Sequence, residues 1–103
     1  MLKRLNVPVR DLDNKDVMDP ESGKVATLKG AVSSALLFQG QDSERLTGDQ
    51  KLQRFALAKK VYDAEDKVDL TAEDVVLIKD CVNRIFTPLV YGRLVEALDP
   101  KEG

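Results

Sequence analysis

The chain has 103 residues, with 16 basic and 18 acidic side chains for a net charge of −2, no histidine, no tryptophan and a single cysteine. That length fits one domain with one core, and the near-balanced charge argues against general attraction to DNA or anionic lipid. Without histidine, and with Cys81 alone, the chain cannot build a zinc finger or a Cys–His or Ser–His catalytic pair.

The first element in chain order is a short strand. Leu5, Val7 and Val9 alternate with Asn6 and Pro8, the pattern of a half-buried strand. Pro8 lacks an N–H for a ladder and so assigns it to a sheet edge. Two turn-like clusters follow, Asp13–Asp16 and Asp19–Gly23, with the apolar pairs Val17–Met18 and Val25–Ala26 beside them. Residues 1–26 are therefore expected to form a β-hairpin or three-stranded ribbon, or else an ordered arm with little ladder. The acidic run Asp11, Asp13, Asn14, Asp16, Asp19, Glu21 does not make a calcium loop. Lys15 and Asp16 stand where an oxygen ligand and a glycine are needed, and Ser22 stands in place of the closing glutamate.

Thr27 has the character of an N-cap for a helix over 28–38. At 100° per residue Leu28, Ala31, Val32, Ala35, Leu36 and Phe38 share one side, while Lys29, Ser33 and Leu37 fall elsewhere. Leu37 is thus either covered by the next loop or part of a contact surface. Gly40 is expected to end the helix, and a polar connection leads to Asp49, read as the cap of a second helix reaching Ala64. There Phe55, Leu57, Ala58, Val61 and Tyr62 spread over a wide face with Leu52 at its margin. Lys51, Arg54, Lys59 and Lys60 frame that face with snorkelling stems.

After the acidic link 64–70, Thr71 and Asp74 form the pattern of a capping box, with Leu70 placed to staple onto Val75. The helix they start, Thr71–Phe86, carries Val75, Leu77, Ile78, Cys81, Val82, Ile85 and Phe86 over about half its circumference. So broad a face predicts the central helix, with Cys81 an inert buried thiol. Thr87–Pro88 breaks the chain, since proline suits the first position of a new helix. Pro88–Leu98 presents Val90, Leu94 and Leu98, flanked by Tyr91 and Val95. Gly92 in its middle implies either a close neighbour or a bend. The predicted class is mainly α, four helices with a small N-terminal β element, in a single domain 1–103 made of 1–26, a helical core 27–98 and a flexible tail 99–103.

The short β-like start with its two turns, the segment TLKGAVSSALL (27–37) and the segment LTAEDVVLIKDCVNRIFTPLVYGRLVEAL (70–98) together resemble small proteins of tailed bacteriophages and prophages. The resemblance covers most of the chain in pattern and rests on no diagnostic motif, so it transfers no functional residue. It implies an assembly factor, or an inhibitor or modulator of a host protein, acting noncatalytically in the host cytoplasm without a cofactor. The expected partner is a viral or host protein, with a homodimer or small oligomer suggested by the breadth of the apolar faces. No signal peptide or apolar run of bilayer length is visible.

Candidate protein contacts are the apolar and aromatic residues off or at the rim of the core faces: Leu37, Tyr62, Val76, Leu89 and Tyr91. The alternative is a small nucleic-acid-associated regulator using Lys51, Arg54, Lys59 and Lys60. Sequence-specific reading of DNA by the last helix fits poorly, because it offers mainly Arg93.

Overall fold

The computed structural model describes residues 2–20, 22–38 and 46–99. Its elements are β1 (Leu2–Arg4), α1 (Leu28–Leu37), α2 (Gly48–Asp63), β2 (Lys67–Asp69), α3 (Ala72–Ile85) and α4 (Pro88–Leu98). The fold is mainly α, with a small β ribbon at the N-terminus. The expected end of α1 at Gly40 and the tail beyond Asp99 lie outside the described residues.

The regular strand lies ahead of the alternating residues, not on them. β1 pairs antiparallel with β2, Lys3 opposite Val68, and Arg4 forms an ion pair with Asp66 at 2.9 Å. The segment 64–70, read as a link, thus supplies a strand, with Val68 and Leu70 buried. Residues 7–27 join as a three-segment ribbon with little ladder, as the second expectation had it, held by the single isolated bridges Pro8–Thr27, Arg10–Asp16 and Met18–Val25. Val9 N–H donates to Ala26 O, Ala26 N–H to Val17 O and Val17 N–H to Val9 O, at 2.8–2.9 Å, so the three segments close into a ring. Asn14 takes a positive φ and Gly23 another at the two turns, conformations that Asn and Gly adopt most readily.

This ribbon also completes α1. The first amides of a helix have no partner within it. Here Leu28 N–H donates to Val7 O and Lys29 N–H to Leu5 O. Gly30 N–H donates to Thr27 Oγ1 at 3.0 Å, so the Thr27 cap holds as expected.

α1 is the hub of the fold. It packs against α2, α3 and α4, whereas the main helical neighbours of α3 are α1 and α4. The expectation that the broad-faced α3 is central is therefore corrected, and the cause is side-chain size. Gly30, Ala31, Ser33 and Ala35 make α1 thin, so neighbours approach it from several sides, while Ile85 at the end of α3 stays partly exposed. The core joins Leu5 and Val9 to Val32, Leu36, Val61, Leu70, Ile78, Val82, Leu94 and Leu98.

The Thr71–Asp74 capping box forms in full, with both hydrogen bonds at 3.0 Å. α2 is capped by Thr47 in a second box with Gln50 and not by Asp49, which sits in the first turn. Pro88 opens α4 as expected. Of the two reasons expected for Gly92, a close neighbour is ruled out: a Cβ built there finds no atom within 4 Å. Gly92→Ala is therefore expected to stabilise the protein by about 0.5–1 kcal/mol, read as a higher urea midpoint at unchanged slope.

Candidate protein-contact face

α2 carries two different faces. Leu57, Ala58 and Val61 are buried against the core. Leu52, Phe55, Lys59 and Tyr62 follow at steps of three, four and three along another side, and all four are exposed. Phe55 is 53% exposed and Tyr62 63% exposed, which corrects the single wide core face expected for this helix. The apolar residues divide because α1 covers only one side of α2.

Leu37, at the end of α1, is 57% exposed and stands beside the stripe. With Phe55, Tyr62 and Lys59 it lines a shallow groove of about 190 Å³ whose other lining residues include Ser33 and Ala58. Ser33, expected off the packed face, is 7% exposed and its hydroxyl has no hydrogen-bond partner. The neighbouring α2 shuts it from water. Phe38, expected on the core side of α1, is the C-cap and is exposed, because the chain leaves the helix there. A second depression, lined by Leu36, Leu37, Phe38, Leu46, Lys51 and Arg54, adjoins the first through Leu37.

The far end of the stripe is held in place. Lys29 Nζ donates to Ala64 O, just past the last turn of α2, at 3.1 Å. It also lies 5.2 Å from the centre of the Tyr62 ring, a cation–π distance. Asn6 Nδ2 donates to Glu65 O at 2.8 Å. One ammonium therefore orients the aromatic ring and answers the exposed carbonyl end of the helix.

Of the five candidate contacts, Leu37 and Tyr62 come together. Val76 is 67% exposed but lies on α3, in an open depression with Ala72, Glu73, Leu77 and Asp80. Leu89 is half-buried on α4, and Tyr91 packs against the core margin. Phe55, expected on the wide apolar face, and Leu52, expected at its margin, both belong to the exposed stripe. The three-four-three spacing with Lys59 inside it is the signal that separates them.

The four basic candidates do not act alike. Lys51, Lys59 and Lys60 are exposed on α2. Arg54 is half-buried, and its Nη1 donates to Cys81 Sγ at 3.3 Å. Burial pushes the Cys81 thiol pKa up, against the opposing pull of Arg54. Arg93 is likewise engaged within the fold: Nε donates to Arg10 O at 2.8 Å and Nη2 to Asp11 O at 2.6 Å.

The acidic run is used locally. Asp11 Oδ1 accepts from the amides of Asp13 and Lys15, and Asp16 pairs with Arg10. Among the described residues no group of three His, Cys, Asp or Glu side chains is placed to hold a metal ion. No helix there is long and apolar enough to cross a membrane. Comparison with protein-family models, with curated proteins and with solved structures finds no match.

Proposed function

We propose that the chain is a noncatalytic protein-binding domain whose contact face is the α1–α2 surface around Leu37, Phe55 and Tyr62. The observation that carries this reading is the clustering of large apolar side chains, each more than half exposed, around one groove. Scattered apolar residues are ordinary on a surface, whereas a contiguous group with aromatic members is the composition of an interface core. With the pattern resemblance to small phage proteins, the role takes the form of an assembly factor or a modulator of a host protein. It would act in the cytoplasm by covering or scaffolding a partner.

Retention experiments test it. The wild-type chain and a Leu37→Ser, Phe55→Ser, Tyr62→Ser variant, matched for helicity, are immobilised and exposed to lysate of the native host. The expected result is a specific protein retained by the wild type and lost with the variant, while Val76→Ser retains it. The alternation of Lys59 with Phe55 and Tyr62 also supports a second reading, a single-stranded nucleic-acid surface. That reading predicts retention of oligonucleotide that fades as salt rises, and its absence at low salt removes it.

A further inference from the structure

Resting on the reading of the α1–α2 surface as a contact face, we infer that its occupant is a second copy of the chain, docked with the two α2 helices antiparallel. The stripe Leu52, Phe55, Lys59, Tyr62 has a spacing that reads the same in both directions. A two-fold axis level with Leu57 therefore sets Leu52 against Tyr62 of the second copy and Phe55 against Lys59 of the second copy. Such self-complementarity is what an isologous dimer requires.

Charge selects the antiparallel arrangement. Parallel helices in register would stack Lys59 on its own counterpart in the middle of the apolar seam. The antiparallel pair lays that ammonium over a phenyl ring instead, a favourable cation–π contact, and it opposes the two helix dipoles. Lys51 comes level with the acidic end of the second copy, where Asp63, Glu65 and Asp66 are all exposed. Leu37, which borders both depressions, stands near the middle of the stripe and approaches its counterpart across the axis. Phe55 enters the groove as the central knob.

The patch holds few large side chains per copy, which places it at the small end of specific interfaces, below about 1,200 Å² in total. The dimer is accordingly a reversible one in the micromolar range or weaker, visible only across a wide concentration span.

Sedimentation equilibrium of the full chain from micromolar to millimolar concentration, at low salt, tests this. The expected mass rises from 11.4 kDa towards twice that value and no further. Phe55→Asp is expected to weaken association by roughly thirtyfold or more, as for a central hot spot, and Val76→Asp to leave it unchanged. Both sites are exposed, so unchanged circular dichroism is expected to show both variants folded. A spin label on Asp49→Cys, with buried Cys81 unlabelled, is expected to report sites about 24 Å apart along the axes, at 1.5 Å per residue.

A monomer throughout overturns the inference, as do larger assemblies, association abolished by Val76→Asp but not Phe55→Asp, or labels held close together. A monomer that still retains a host protein through Leu37, Phe55 and Tyr62 sinks the dimer alone. Loss of both sinks the contact face as well.

Discussion

Ile78→Ala is expected to cost about 2–5 kcal/mol of folding stability, the range for truncating a fully buried aliphatic side chain. Ile78 is 0% exposed and belongs to α3, which packs against both α1 and α4. Truncation removes buried methyl groups and leaves a cavity that two separate helices would have to shift to fill. A domain of this size is stable by only about 5–15 kcal/mol, so the loss is a large share of the total. Urea unfolding followed by circular dichroism measures it. Val76→Ala, two residues away on the solvent side of the same helix, is the control and is expected to change stability by less than about 0.5 kcal/mol. A small effect at Ile78 would mean that the helices close over the space, contradicting the hub arrangement around α1.

Arg93→Ala is expected to cost about 2 kcal/mol and to act at a distance in sequence. Its guanidinium makes a fork to the carbonyls of Arg10 and Asp11, while Nη1 pairs with Glu96 at 3.1 Å. Hydrogen bonds from a charged donor are worth about 1.5–3 kcal/mol each, less where solvent competes, and one of these two is exposed. The fork ties α4 to the first turn of the ribbon, so the same variant is expected to speed amide exchange at Val17. Arg93→Lys is expected to recover less than half of the loss, because an ammonium cannot present two parallel donors to neighbouring carbonyls. Exchange unchanged at that amide in Arg93→Ala would show that the ribbon stands without the fork.

Local chemistry was readable where one stretch of chain decides it. The Thr71–Asp74 box, Pro88 at the head of α4, Thr27 as a cap and Cys81 within the core all depend on neighbours a few residues apart. β2 was harder because its partner, β1, lies more than sixty residues earlier, although Val68 and Leu70 show the alternation. Ser33 was assigned to the wrong side because helical periodicity orders residues around an axis without saying how many neighbours surround it. The exposed face proposed for contact was half legible. Leu37 stood out as an apolar residue on the wrong side, and Tyr62 as an aromatic with a polar tip. Phe55 did not, because a hydrophobic residue next to a core face reads as core until the width of the covering helix is known.

The ring of hydrogen bonds through Val9, Val17 and Ala26 has a consequence for how the protein meets other chains. A ribbon normally ends in two open rims whose amides and carbonyls invite a further strand. Here the outer segments are bonded to each other as well as to the middle one, and flanking residues close each bridge with a second hydrogen bond: Leu28 N–H to Val7 O, Asp11 N–H to Lys15 O and Asp19 N–H to Lys24 O. The ring takes up the amides and carbonyls of Val9, Val17 and Ala26, which disfavours strand addition through those three residues.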